Sequence, residues 1–413
     1  MQVISNEQRI QILSDLVSIK SINGDELQVA TYLKQLLSEY GIEAKIIELP
    51  EEGRANLIAE IGEGKPVLGI SGHMDVVDAG DLDKWTHPPY ELTEDNGKLY
   101  GRGTGDMKAG LAGYVIALIE IKEQNLLKKG TIRLMATAGE ELGQIGSKTF
   151  YEQGYMEDVD GLMVSEPANK IINYANKGSM NAKVTSLGTS AHSSMPFAGE
   201  SAIDPLLAFI DDVKVKVEKE AESTEVSAFD FKGWLKGSFG DKDLDFDKLS
   251  SYLNNTLLTN TVIQAGNQIN SVPEKAVAYF NVRTVPEFNN TRVKEIFDKE
   301  LKAHNEKGAE LAVDWELDLE SAITDGNNLL IELHQELAEE YFGEKYPIHP
   351  TTGVTDASNL IKGKPTSFPF AVFGPGETSM AHQTDEYVEK DLYFKFTDLF
   401  QDIIVRFTSE YEG

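Results

Sequence analysis

The sequence predicts an α/β fold: a doubly wound domain interrupted by an inserted ferredoxin-like domain of β-α-β-β-α-β order. Two observations carry this. Short apolar strand runs alternate with helical stretches as far as about residue 180, and that alternation resumes after about Ser321. Between them the order changes to one that forms a small domain in itself. The expected boundaries are therefore 1–180 with 322–413 for the interrupted domain and 181–321 for the insert.

Taken in order, RIQILSDLVSI and LQVATYLKQLLSEYG carry helical spacing, and the glycine stops the second. ANLIAEI, PVLGI, TIRLMAT and GLMVSEP have the compact apolar character of strands, with AGLAGYVIALIEIKEQN as a helix between the second and third. From Asn181, NAKVTSL reads as a strand, DPLLAFIDDVKVKVEKEAE as a helix, and NTVIQAG and KAVAYFNVRTV as two strands. TRVKEIFDKELKAHNEKG (helix) and ELAVDWELDL (strand) close the insert. Residues 221–255 hold an acidic, aromatic-containing stretch, FDFKGWLKGSFGDKDLDFDKL, to which the pattern assigns no structure. NNLLIELHQELAEEYFG, PFAVFG and a helix ending in DIIVRF complete the first domain.

With 41% hydrophobic and 26% charged residues, the composition is that of a soluble globular protein. The opening MQVISNEQRIQIL lacks a basic-then-apolar signal. The longest apolar stretch, Ala109 to Ile121, is shorter than the ~18 residues of a membrane span. The expected location is the cytoplasm. No cysteine is present, so any metal must be held by His, Asp and Glu. A net charge of −30 with no basic patch argues against nucleic acid and anionic membrane surfaces as partners.

Candidate chemistry follows the strands. PVLGISG leads into His73 and Asp75, TIRLMATAG into Glu140 and Glu141, GLMVS into Glu166, and PFAVFG towards His382. In open α/β sheets, ligands bind outside the carboxyl ends of strands, so four strands would deliver these side chains to one crevice. Asp106, in the glycine-rich GRGTGDMKAG turn, could join them. Carboxylates and imidazoles gathered this way need a counter-charge, and a sulfur-free donor set suits zinc, cobalt or manganese.

GHMDVV, GRGTGDMKAG, ATAGEELG, SEP and AHQTDEYV, in that order over nearly the whole chain, resemble the dinuclear zinc acylases and exopeptidases. That family includes succinyl-diaminopimelate desuccinylase, acetylornithine deacetylase, aminoacylase and carboxypeptidase G2. The resemblance implies two divalent ions, Zn2+ foremost with Co2+ or Mn2+ as alternatives, held by His73, Asp106, Glu141, Glu166 and His382. Asp106 would bridge, Glu140 would be the general base, and Asp75 would orient His73 through its other ring nitrogen. It also implies a cis peptide at Asp106–Met107 and a homodimer in which His192 of GTSAHSSMP acts in the neighbouring subunit's site.

Softer candidates for substrate contact are Lys177, Asn270, Arg283, Asp356 and Gly374, with Gly376 beside it. Ser358 stands near the place of an arginine that the succinyl enzymes carry. The implied reaction is amide hydrolysis of an N-acyl amino acid, N-succinyl-diaminopimelate foremost. Acetylornithine deacetylation and di- or tripeptide cleavage are the alternatives, so the partner is a small acyl amino acid or short peptide. Phosphate-ester hydrolysis would want cationic groups, of which the motif regions offer few, Lys108 and Lys177 among them, and a non-catalytic binding role would suit a chain that had lost Glu140 or a ligand.

Overall fold

The computed structural model describes residues 2–168, 170–239 and 243–412. They form two compact units: Met1–Ala175 with Ile323–His349 and Thr355–Gly413, and Asn176–Ala322 with Pro350–Val354.

The first unit is built on a mixed sheet ordered Ala44–Glu48, Ala55–Glu63, Gly130–Thr137, Val67–His73, Gly161–Pro167, Phe370–Gly374 and Ile172–Asn176. The strands Gly130–Thr137, Val67–His73, Gly161–Pro167 and Phe370–Gly374 run parallel to one another. Their carboxyl ends therefore open on one edge of the sheet. Val67–His73 and Gly130–Thr137 are buried along their whole length, which is why they are continuous apolar runs rather than alternating ones. The helix Ala109–Glu123 is apolar on nearly every face because both sides are covered. Lys390–Glu410 packs against it, with Phe400 against Tyr114 at 4.4 Å between ring centroids. Helix Asn6–Ser18 starts at a capping box formed by Ser5 and Gln8.

A small antiparallel sheet joins Thr93–Asp95, Lys98–Tyr100 and Tyr387–Glu389. It ties the segment leading into GRGTGDMKAG to the segment just after His382.

The second unit runs strand, helix, strand, strand, helix, strand: Gly178–Leu187, Ile203–Ser223, Leu257–Ala265, Lys275–Thr284, Asn290–Asn305 and Glu310–Leu319. The sheet order is Leu257–Ala265, Lys275–Thr284, Gly178–Leu187, Glu310–Leu319, all antiparallel. The two long helices meet through Phe209 and Phe297, and Phe297 also packs edge-on against Phe280. The acidic stretch left open by periodicity contributes two short helices, Lys232–Phe239 and Phe246–Leu253; residues 240–242 lie outside the described residues. No helix of the described residues is long and apolar enough to cross a membrane.

Candidate metal centre

Each side chain of the centre is placed by the end of an element. His73 is the last residue of its strand and is fully buried. Its Nδ1 lies 2.9 Å from the main-chain carbonyl of Asp75 and 3.6 Å from the Asp75 carboxylate. A carbonyl can only accept, so Nδ1 carries a proton and Nε2 is the atom turned to the cluster. The Asp75 carboxylate is committed elsewhere: it accepts from the backbone N–H groups of Glu140 and Glu141, each at 3.1 Å. Asp75 thus orients His73 chiefly through its main chain, and its side chain joins the His73 strand to the turn carrying the glutamates.

That turn follows strand Gly130–Thr137. Gly139 is at φ 72, and a Cβ there would fall 2.6 Å from the Arg54 guanidinium, so glycine serves both conformation and space. Glu140 is half-buried and accepts a hydrogen bond from the Gln144 amide at 2.9 Å. Glu166 stands near the end of Gly161–Pro167. His382 has φ 64, a left-handed conformation that is uncommon outside glycine and recurs at functional sites.

Asp106 lies between the two imidazoles. Its Oδ1 is 3.0 Å from His73 Nε2, and its Oδ2 is 3.6 Å from His382 Nε2. Glu166 lies on the His73 side at 3.7 Å, and Glu141 on the His382 side at 2.9 Å. The Asp106–Met107 peptide is cis. Donor atoms of His73, Asp106 and Glu141, and of His73, Glu140 and Glu166, lie within 4.8 Å of one another, so each trio could hold a metal ion.

The electrostatics fit a cation. Burial pushes the Glu140 and Glu166 carboxyls well above their usual range, and neighbouring carboxylates add to it while His73 opposes. Burial works against charge on His73 too, yet the carboxylates of Glu166, Asp106 and Asp75 hold its imidazole well above the ordinary value. The hydrogen bond to Glu141 raises His382. Glu166 Oε1 is buried with no hydrogen-bond partner, and no lysine or arginine pairs with these carboxylates among the described residues. An all-N/O donor set with an orphaned carboxylate oxygen suits a divalent ion of the zinc, cobalt or manganese class.

The softer candidates divide. His192 is exposed in the second unit, and its Nδ1 accepts from Ser194 N–H at 3.2 Å, which leaves the neutral ring its proton on Nε2. Residue 192 bridges to Ser271, and Ser193 N–H donates to the Asn270 carbonyl, so His192 and Asn270 lie on adjoining backbone segments. Arg283 is half-buried on strand Lys275–Thr284.

Three expected substrate contacts are buried. Lys177 is fully buried, and its ammonium donates to the carbonyls of Leu253 and Asn255. Burial lowers it to about 7, with Arg283 adding to the effect. Asp356 is buried and accepts from the Thr137 hydroxyl at 2.5 Å. At Gly374 a Cβ would strike the carbonyls of Ser165 and Glu166 at 2.6 Å, and at Gly376 the Gly105 carbonyl at 2.1 Å. These glycines admit a close approach of neighbouring backbone. Sequence patterns mark residue type but not burial, so the burial of Lys177 and Asp356 was not legible in them. Residues that pattern reading missed are Gln144, Arg102 and Glu386, polar side chains bonded to the loops and carboxylates around the centre.

A family model described as Peptidase family M20/M25/M40 matches residues 69–406. A Staphylococcus epidermidis protein named probable succinyl-diaminopimelate desuccinylase is 44% identical over 407 residues, covering 98% of both chains. An M20 family metallo-carboxypeptidase from Sulfolobus solfataricus superposes with a TM-score of 0.79 at 20% identity, covering 96% of this chain and 98% of its own. A Bacillus subtilis protein described as a dinuclear metal binding peptidase from the M20 family gives 0.66 at 18% identity, covering 98% and 99%. The family model spans all the residues gathered around Asp106, and on that match and the full-length identity the chain belongs to peptidase family M20/M25/M40, as a hydrolase of amide bonds.

Proposed function

We propose that the enzyme hydrolyses the amide bond of N-succinyl-diaminopimelate, releasing succinate and the free diamino acid. The observation that carries the chemistry is Asp106 set between a His73–Glu166 pair and a His382–Glu141 pair. The substrate comes from the relatives' name and their 44% identity. In this reading His73, Asp106 and Glu166 would hold one divalent ion, and Asp106, Glu141 and His382 would hold a second, zinc in the first instance. When bound, such ions supply Lewis acidity and a water with a pKa near ~7.

The chain's own groups do the rest. Glu140 takes the proton of the attacking water and delivers it to the departing nitrogen. The Gln144 amide holds one Glu140 oxygen, which aims the other. Asp75 keeps Glu140 and Glu141 in register with His73. His192, with its Nε2–H outward, donates to the carbonyl oxygen as that atom gains charge. We assign it to the neighbouring subunit's site in a homodimer, with the second unit as lid and dimerisation domain. Asn270 and Arg283 contact the acyl amino acid. Lys177, Asp356 and Gly374 are further candidates for this contact set, buried as they are.

The test is the initial rate of amide hydrolysis by metal-stripped protein with zinc, cobalt or manganese restored. The panel is N-succinyl-diaminopimelate, N-acetylornithine and several di- and tripeptides. The expected outcome is metal-dependent cleavage of the succinyl substrate, with a fall on the order of 10²–10⁴ in Glu140→Gln. Stoichiometric metal with preference for another substrate would overturn the substrate assignment alone. Absence of metal binding would overturn the whole reading. Mixing Glu140→Gln with His192→Ala subunits tests the dimer: hybrid dimers regain activity only if His192 acts across the interface.

A further inference from the structure

We infer that Glu386, paired with Arg102, is a positioning residue that locks the Asp106 loop to the His382 loop. It sits four residues after His382 and is fully buried, as is nearly all of Arg102. One carboxylate oxygen accepts from three backbone donors of the glycine-rich turn: Gly103 N–H at 3.1 Å, Gly105 N–H at 2.8 Å and Asp106 N–H at 2.9 Å. The other accepts from Arg102 Nη1 at 2.5 Å. Arg102 also donates to the carbonyls of Gln383 and Asp78, at 3.2 and 3.4 Å. Outside the carboxylate, the Glu386 carbonyl accepts from Gly101 N–H at 3.0 Å, and Tyr387 pairs with Tyr100.

The need for such a lock is physical. Gly101, Gly103 and Gly105 give the turn little stiffness of its own, and two of them lie at positive φ. A metal centre demands side chains held within about 0.5 Å. A buried carboxylate is expensive unless fully hydrogen-bonded, and here both oxygens are satisfied by the loop it holds. Because Asp106 N–H is among the donors, the direction of the Asp106 carboxylate is coupled to the segment that presents His382. Glu386 acts through Asp106 and touches no reacting atom.

This inference rests on the hydrolytic metal centre proposed above. The test uses the full chain with metal restored: Glu386→Gln, Glu386→Leu and Arg102→Met, with kcat and KM separated, zinc affinity by chelator competition, and Tm. Glu120→Gln is the control, a buried carboxylate in the same unit that accepts from Val3 and Ile4 N–H and pairs with Arg9. Glu386→Gln keeps a carbonyl for the three N–H groups but loses the charge. Its zinc affinity and kcat are expected to fall about tenfold, and those of Glu386→Leu about a hundredfold, with KM nearly unchanged. Glu120→Gln is expected to lower Tm alone. Should Glu386→Leu fail to fold, Glu386→Gln and Arg102→Met decide. Wild-type affinity and kcat in the folded variants, or losses no larger than those of Glu120→Gln at equal Tm, would overturn the inference. A wild-type chain that neither binds zinc nor cleaves amides sinks the proposed function instead.

Discussion

His73 and His382 flank the same carboxylate from unlike surroundings. The His73 side chain is fully buried at the end of a central strand, and the Asp75 carbonyl fixes its ring. His382 is half-exposed, on a turn, with a left-handed backbone. The buried half inherits its geometry from the sheet. The exposed half depends on a loop, and so on whatever ties that loop down. The ion on the His382 side is therefore expected to exchange first under a chelator.

The largest expected effect breaks this comparison directly. His73→Ala should lose both ions on dialysis, whereas His382→Ala should retain one. The rate loss in His73→Ala should exceed the roughly 10–100-fold typical of residues that only support a ligand. Metal content per chain, measured alongside activity, decides it; equal losses in the two variants would show that the halves are not ranked by burial.

Next comes Asp75→Asn. An amide in that place can accept from one of the Glu140 and Glu141 N–H groups but turns its own donors on the other. Zinc affinity on the His73 side is expected to fall roughly 10–100-fold. Gln144→Leu should be milder. It removes the donor to Glu140 Oε1, and losing a hydrogen bond to a charged group costs about 1.5 kcal/mol at the low end. A fall of about tenfold in kcat with unchanged metal content is expected. Loss of metal in Gln144→Leu would instead place Gln144 in support of the ligands.

The same contrast explains what could be read from the chain. His73, Glu140, Glu141 and Glu166 follow apolar runs, and a run that must be buried also fixes where its end emerges. The second unit's element order was legible for a similar reason, since its strands and long helices carry distinct periods. Glu386 and Arg102 carry no such mark. Apart from each other, their partners are main-chain N–H and C=O groups of loops, which leave no trace in residue type. The one available signal was place: an acidic residue four positions past His382, before the strand Tyr387–Glu389. Lys177 and Asp356 are charged residues whose burial no spacing revealed.

Glu26 sharpens the account of the buried half with the least effect on rate. It is fully buried at the start of helix Glu26–Glu39. Burial raises it to about 7, and the negative charge of Asp75 adds to the shift. With the folded value above the ordinary 4.5, the folded state binds more protons than the unfolded one between those limits. Stability from this group is therefore present below pH ~4.5 and is lost as pH rises through about 7. At 1.36 kcal/mol per unit, the full penalty is about 3 kcal/mol. Glu26→Gln removes the charge and keeps the shape. In metal-stripped protein it should stabilise by up to about 3 kcal/mol at pH 8, with no gain near pH 4, while kcat of the metal-restored enzyme stays unchanged. Denaturant unfolding at the two pH values measures it. A constant offset across pH would mean that Glu26 stays ionised in the folded protein, and that positive charge such as that of Arg54 outweighs its burial.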